Sequence, residues 1–237
     1  MTGWTKKVFW QDVTTQAGPD GHAVLLDGRP LRTPAQARLL LPTQALAALV
    51  AEEWRAQDGV IRPDTMPATR SANVAIDKVG AVKNDVVAVV AAYGETDLLC
   101  YRATAPGALR AEQAATWDPL LDWAAARFGV TWNCVDGVMP APQPPRTVQR
   151  LTAEIAALSA FELTALHELV ALSGSLIIGL AVLESQAAPE VLWQACRLDE
   201  DWQARQWGVD EEAQANAALR REGFLQARRF LVACRAA

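Results

Sequence analysis

Three consecutive acidic residues, Asp199, Glu200 and Asp201, lie between an arginine and two tryptophans in the stretch RLDEDWQARQWG, residues 197–208. On a helix, consecutive residues fan over most of a turn, so these carboxylates do not converge on one catalytic point. A calcium loop would need alternating oxygen ligands and a central glycine, and the stretch has neither. Adjacent acids repel one another on a helix, and tryptophan beside charge is typical of interface hot spots. The pattern favours a protein-binding surface, with a solvated acidic face and a core Trp202 as the structural alternative.

A second pair of carboxylates, Glu95 and Asp97, occurs in YGETDLLCYR, residues 93–102. Gly94 is predicted to end a helix, which places both acids in a short polar turn before a strand. Two carboxylates two residues apart can serve acid–base chemistry, but the same residues also make a helix stop. The interpretation of these residues as a helix stop and turn is favoured. The alternative is a small-molecule enzyme that uses Glu95 and Asp97 in a cleft between two domains.

Two motifs that would indicate a metal or a nucleotide are incomplete. HELVA begins at His167 like a zinc-protease helix, but Ala171 occupies the position of the second histidine. SGSLIIG, residues 173–179, is followed by leucine and alanine where a phosphate loop needs lysine and serine or threonine. Ala171, Ser175 and Gly179 are spaced four apart and are predicted to let a neighbouring helix approach closely. We expect no metal and no cofactor.

The secondary-structure signals change along the chain from strand to helix. Asp27-Gly28 between two apolar runs predicts a tight hairpin, and KKVFW (residues 6–10) and RLLL (38–41) predict further strands. Helical spacing of apolar residues begins at Thr43. Further helices are predicted near residues 68–79, 84–93, 107–116, 119–128, 146–157, 160–184, 189–206 and 210–233, with short strands at 98–103 and 130–135. Asp118 and Pro119 are predicted to be the N-cap and the first-turn proline of the helix at 119–128. The predicted fold class is α+β: a small β-rich α+β N-terminal domain (residues 1–75) and a larger all-helical domain (residues 76–237).

Composition narrows the possible partners and compartment. The 237 residues carry a net charge of −5, which does not favour nucleic acid. Four widely spaced cysteines without a C-x-x-C motif are typical of buried free thiols in a reducing compartment. The longest apolar run, residues 169–183, is too short to cross a bilayer comfortably, and the first residues have no leader character. We expect a cytoplasmic protein without stable membrane insertion.

Seven stretches, in chain order, together resemble one known family: KVFWQDV, LDGRPLRTP, LPTQALAALVAEEW, MPATRSANVAID, YGETDLLCYR, WDPLLDWAAARFGV and RLDEDWQARQWG. The chain is similar to the assembly chaperones that attend the α subunit of the F1 sector of ATP synthase. The likeness runs from about Lys7 to past Gly208, and it points to the bacterial form of a family whose eukaryotic members are expected in the mitochondrial matrix.

The resemblance implies a non-enzymatic protein that holds free α subunit until α pairs with β. It also implies an α+β domain followed by a helical domain, and a functionally important acid at the position of Glu200. The tryptophan of AEEW, Trp54, is expected in the core. We expect a protein that is monomeric when free, with a partner-binding set made of Glu200, Asp199, Asp201, Trp202, Gln203 and Trp207.

Overall fold

An antiparallel sheet forms from the first part of the computed structural model, which describes residues 7–236. Its strands are β1 (Val13–Gly18), β2 (Gly21–Leu26), β3 (Arg29–Pro30) and β4 (Leu40–Leu41). β2 is central, with β1 along one edge and β3 and β4 on the other. The strand predicted at residues 6–10 is present only as an isolated bridge between Lys7 and Val60, and Lys6 lies outside the described residues.

The hairpin predicted at Asp27-Gly28 is confirmed. Leu26 pairs with Arg29, so two residues make the turn, with φ of 46° at Asp27 and 76° at Gly28. Positive φ at both positions is what the two-residue turn that matches strand twist requires. The Asp27 carboxylate also accepts the backbone N–H groups of Gln11 and Asp12 at 3.0 and 2.8 Å, and these hydrogen bonds lower its pKa.

Helices make up most of the chain after the sheet, and the predicted α+β class is confirmed. They are α1 (Gln44–Arg55), α2 (Pro67–Val74), α3 (Lys83–Ala92), α4 (Gly107–Phe128), α5 (Pro145–Ala156), α6 (Ala160–Ser173), α7 (Leu176–Leu183), α8 (Pro189–Cys196), α9 (Leu198–Trp207) and α10 (Glu211–Arg235). The strand predicted at 98–103 is present only as β5 (Tyr101–Arg102), which follows a 3-10 turn at Leu98–Cys100, and the one predicted at 130–135 overlaps β6 (Val135–Asp136) only at Val135. β5 and β6 pair in parallel.

The prediction of two helices meeting at Asp118-Pro119 is wrong. Helix α4 runs through Pro119, although proline removes a backbone hydrogen bond. Tertiary contacts override this cost: Trp117 is fully buried, and the Asp118 carboxylate, which was predicted to cap a new helix, instead accepts from Arg102 at 2.6 Å.

The single helix predicted over residues 160–184 is also wrong, because it breaks between α6 and α7. Gly174 has a φ of 72°, and the Ser175 hydroxyl accepts from the N–H of Ile178, which starts α7. Ser175 is therefore a capping residue and not part of a small-residue stripe on one helix. The apolar run itself is core: every residue of α7 is buried, and none of the helices within residues 7–236 has the length and apolarity needed to cross a membrane.

Contacts divide the chain into two compact units. The first contains the chain up to Lys83 with Ser159–Ala165 and the end of the chain from Arg229; the second contains Asn84–Leu158 and Leu166–Arg228. Helix α1 supplies fully buried Leu46 and Val50 to the core of the first unit. The predicted domain boundary after residue 75 falls inside the first unit, and the division into two independently folding domains stays a prediction.

Within the first unit, α1 also holds the start of α2. The Glu53 carboxylate accepts the backbone N–H groups of Ala68 and Thr69 at 2.7 and 2.8 Å and the Thr69 hydroxyl at 2.7 Å. These donors belong to the first turn of α2, whose N–H groups have no partner inside the helix. Trp54 is half-buried and its ring lies 5.1 Å from that of Trp10, so its role is packing against the N-terminal segment.

Gly179 on α7 packs closely against side chains of α6, and its replacement tests that packing. A Cβ at this position would lie 2.6 Å from Val170 Cγ2 and 3.0 Å from Leu166 Cδ1. Gly179→Ala should therefore lower the free energy of unfolding by about 1 kcal/mol or more, because overpacking outweighs the gain in helix propensity.

Gly107→Ala is the matched control, since a Cβ at Gly107 meets no heavy atom within 4 Å. Urea denaturation should show a change within about 0.5 kcal/mol for this control. Equal stability of Gly179→Ala and the wild type would contradict the close-packing account.

Candidate partner-binding site

Helix α9, which carries the predicted binding residues, is separated from α8 by Arg197. The single helix predicted over residues 189–206 is therefore wrong; Trp193 on α8 is buried, whereas Trp207 on α9 is exposed. The break places Asp199, Glu200 and Asp201 in the first turn of a helix. Acids there interact favourably with the helix dipole, which offsets the mutual repulsion expected from the sequence.

Asp199 anchors α9 to α4. Its carboxylate accepts a hydrogen bond from Gln113 Nε2 at 2.7 Å, and the other end of that amide accepts from the backbone N–H of Ala103 at 2.8 Å. Gln113 is only 1% exposed, so both of its polar groups depend on these partners. Of the three acids, Asp199 is thus the one committed to holding the helix in place.

Glu200 and Asp201 remain accessible. Their side chains are 51% and 52% exposed, and each lies near the Arg197 guanidinium, at 3.4 and 3.5 Å. Exposed ion pairs at such distances contribute little, so neither carboxylate is committed to an internal contact.

Trp202 is half-buried, and the alternative in which it belongs to the core is not supported. The guanidinium of Arg205 lies 5.3 Å from the centroid of its ring, within the range of a cation–π contact. Arg205 Nη2 also lies 2.7 and 2.8 Å from the two carboxylate oxygens of Glu112 on α4. Trp202 therefore lies on the side of α9 that is tied to α4.

Three other side chains of α9 are exposed and share a helical face. Glu200, Gln203 and Trp207 are three and seven residues apart, a spacing that places them on one helical face, and we call them the α9 stripe. Trp207 is 80% exposed, which is unusual for so large an aromatic side chain. Asp201 lies beside the stripe.

Two exposed apolar residues were missed by the sequence reasoning. Val209 is 61% exposed directly after α9, and Leu219 is 73% exposed on the first half of α10. The signal in the sequence is that residues 210–222, which include many alanines and charged residues, contain no apolar residues at core-forming helical spacing. Except for half-buried Ala217, the side chains of Glu211–Glu222 are exposed.

A cavity of about 300 Å³ lies beside Glu200 in the second unit. Arg220 borders it and donates to the backbone carbonyl of Leu172 at 2.6 Å. The apolar and charged residues that line the cavity include Leu98, Leu172, Cys196, Arg197, Glu200 and Arg220.

The structure places the carboxylates of the enzyme hypothesis in different environments. Asp97 has no exposed surface, and its oxygens accept from Leu99 N–H at 3.0 Å, Ser175 Oγ at 2.7 Å and Ile177 N–H at 3.0 Å. It therefore caps the start of α7 from inside the fold. Glu95 is exposed. Burial raises the pKa of Asp97 to about 6, and the hydrogen bonds from Ile177, Ser175 and Leu99 oppose this rise.

Within residues 7–236, no group of three or more histidine, cysteine, aspartate or glutamate side chains is placed to hold a metal ion. His167, the first histidine of the incomplete zinc motif, is exposed on α6.

Known proteins resemble the chain in both sequence and structure. The family model described as ATP12 chaperone protein matches residues 7–125. Mitochondrial protein atp12 of Schizosaccharomyces pombe is 26% identical over 218 residues, which cover 86% of this chain and 75% of the yeast protein.

Solved structures match over almost the whole length. The crystal structure of Atp12 from Paracoccus denitrificans is 49% identical, with a TM-score of 0.94 over 97% of this chain and 98% of that one. A lysine-for-aspartate mutant of the same Paracoccus protein gives 48% identity and a TM-score of 0.94 over the same shares. A chain from Agrobacterium tumefaciens is 40% identical, with a TM-score of 0.92 over 97% of this chain and 86% of that one.

These matches define the class of protein, which is an assembly chaperone. The chain belongs to the ATP12 chaperone family, whose members act in assembly of the F1 sector of ATP synthase.

The buried carboxylate of Asp97 should make stability depend on pH. Its pKa is raised from 3.8 to about 6 in the folded state, so the folded protein binds this proton more tightly than the unfolded chain. The resulting stabilisation is complete below about pH 4 and is lost as the pH rises through about 6. Relative to Asp97→Asn, the free energy of unfolding of the wild type should fall by up to about 3 kcal/mol over that range.

Denaturant titrations of both proteins at several pH values measure this difference. A difference that stays constant or grows as the pH rises would show that the hydrogen bonds, and not burial, dominate the pKa of Asp97.

The anchoring role of Asp199 can be separated from the exposure of Asp201. Asp199→Ala should lower the free energy of unfolding by about 1–2 kcal/mol, because it leaves the buried Gln113 amide without its acceptor. Asp201→Ala removes an acid from the same helical turn and should change stability by no more than about 0.5 kcal/mol. Thermal denaturation of both variants checks this, and equal losses would remove the distinction.

Proposed function

We propose that this protein binds the free α subunit of the F1 sector and covers its β-facing surface until β takes that place. The proposal is supported by family membership and by the resemblance of RLDEDWQARQWG to the segment that matters for function in α-binding chaperones. No substrate is transformed. The chaperone acts through occupancy alone.

The physical need for such a protein comes from the α–β contact. Obligate subunit interfaces are large and more apolar than ordinary protein surface. A free α subunit therefore exposes an apolar patch that promotes aggregation. The chaperone has to bind this patch more weakly than β does, because otherwise it would block assembly.

The α9 stripe and its surroundings meet that requirement. Residues 197–212 contain six acidic residues against two arginines, so the region attracts a basic partner surface at long range. The desolvation of exposed carboxylates limits the final affinity. Trp207, which is 80% exposed, supplies the apolar anchor that interfaces commonly use.

The single observation that carries this assignment is the division of the α9 side chains into anchoring and exposed ones. Asp199, Trp202 and Arg205 make contacts within the protein, while Glu200, Gln203 and Trp207 are exposed. Of the six predicted residues, we therefore assign direct contact to the stripe with Asp201, and we assign support of the helix to Asp199 and Trp202.

The enzyme hypothesis lacks a comparable observation. Asp97 accepts three hydrogen bonds within the fold and has no exposed surface, so its carboxylate is not presented to a substrate. Glu95 is left as a lone exposed acid.

Charge reversal on the stripe tests the binding surface. Glu200→Lys should abolish co-purification with separately expressed α subunit, because it replaces an attractive charge at the centre of the contact with a repulsive one. Glu95→Lys is the matched control: it makes the same change at another exposed position of the second unit and should leave capture intact.

Circular dichroism should show that both variants are folded, since Glu200 has only a weak ion pair at 3.4 Å to lose. Undiminished capture of α by Glu200→Lys would show that the α9 stripe is not the binding surface. Loss of capture in both variants would show that net charge, and not this site, controls the interaction.

A further inference from the structure

Two cysteines lie side by side where strands β5 and β6 begin. Tyr101 pairs with Val135 and Arg102 with Asp136, so Cys100 and Cys134 occupy the position just before the first paired residues of the two parallel strands. Adjacent strands lie about 4.8 Å apart, which brings positions at the ends of two paired strands within the separation that a disulfide spans. The two thiols are neighbours, and each influences the pKa of the other.

The two thiols differ in access and in acidity. Cys134 is exposed, which corrects the prediction that all four cysteines are buried, while Cys100 is buried. The hydrogen bond from Cys100 and the positive charge of Arg102 lower the pKa of Cys134 to about 6, although partial burial and Asp118 oppose this. The same contact, together with burial and Asp97, raises the pKa of Cys100.

This arrangement is typical of a nucleophilic thiol with a resolving partner. The thiolate is the reactive form of cysteine, and Cys134 carries it in the more exposed position. Cys100 is within contact distance but shielded from solvent, so it can react with a group on Cys134 more readily than with a reagent in solution.

We propose that Cys134 and Cys100 form a reversible redox pair, in which Cys134 attacks a low-molecular-weight disulfide of the glutathione type and Cys100 closes an intramolecular disulfide. This site is independent of the α9 stripe and of the proposed binding of α.

The reaction takes place in two exchange steps. First, the Cys134 thiolate attacks one sulfur of the small disulfide; that S–S bond breaks, one small thiolate leaves, and a mixed disulfide forms on Cys134. Second, the sulfur of Cys100 attacks Cys134 Sγ; the mixed disulfide breaks, and the proton of Cys100 passes to the second small thiolate, which leaves as a thiol. Two protein thiols are oxidised, and one small disulfide is reduced to two thiols.

The other two cysteines provide internal comparison. Cys196 and Cys234 are buried, and burial raises the pKa of each to about 12. Neither has the combination of exposure and a neighbouring thiol, so neither should react under the same conditions.

Alkylation and peptide mapping of the full-length reduced protein test the proposal. Iodoacetamide at neutral pH should modify Cys134 at least about tenfold faster than Cys196 or Cys234. Incubation with oxidised glutathione, followed by non-reducing mass spectrometry, should then yield the peptide pair joined through Cys100 and Cys134. Reduction with dithiothreitol should restore both thiols.

Two variants separate the steps. Cys100→Ser should stop at glutathione bound to Cys134, and Cys134→Ser should leave Cys100 unmodified. Circular dichroism establishes that each variant is folded. The alkylation and oxidation experiments on the wild-type protein test the proposal without any variant. A stable glutathione adduct on wild-type Cys134 without closure, or equal labelling of all four cysteines, would overturn the proposal.

Discussion

The anchoring of α9 along α4 is the interaction on which the proposed binding surface depends. Gln113 holds Asp199 at 2.7 Å and Glu112 holds Arg205 at 2.7 Å, while Trp117 donates its indole N–H to the Ala195 carbonyl at the end of α8, at 2.8 Å. The contacts of Asp199 and Arg205 hold α9 against α4, and Glu200, Gln203 and Trp207 remain exposed. A helix held in this way presents its exposed residues in a fixed arrangement, which lowers the entropy lost on binding.

The seven stretches that resemble the chaperone family differ in what they do. Several of them have structural roles: Asp27 and Gly28 make the hairpin turn, Glu53 holds the start of α2, and Asp97 caps α7. RLDEDWQARQWG differs because it combines anchoring residues with exposed ones such as Trp207. This is the pattern expected of a segment whose sequence is constrained by both folding and partner binding.

A chaperone of this kind has to bind α tightly enough to cover it but more weakly than β does. Acidic residues at a helix start are stabilised there by the helix dipole, so they can be gathered at the surface without harming the fold. The same charges speed the encounter with a basic surface but are costly to bury, which keeps the complex replaceable. The few exposed apolar side chains, Trp207 among them, add contact without creating a large aggregation-prone patch.

The sequence predicted those features that depend on neighbouring residues. The Asp27-Gly28 turn, the α+β class and the prediction of a protein-binding surface at residues 197–208 all follow from local patterns. The helix breaks at Gly174 and Arg197 were missed. The anchoring of Asp199 and the contact of Ser175 were missed because their partners are remote: Ser175 binds Asp97, 78 residues away, and Asp199 binds Gln113, 86 residues away. The contact between Cys100 and Cys134 depends in the same way on strand pairing that no local pattern reveals.

Displacement by the β subunit is the most direct test of the central claim that this protein occupies the β-facing surface of α. The purified complex of the chaperone with α would be mixed with free β and separated by size-exclusion chromatography. The account predicts that the chaperone is released as a free monomer while α elutes with β. A stable complex containing all three proteins would contradict it, because the chaperone would then be bound to a surface of α that β does not use.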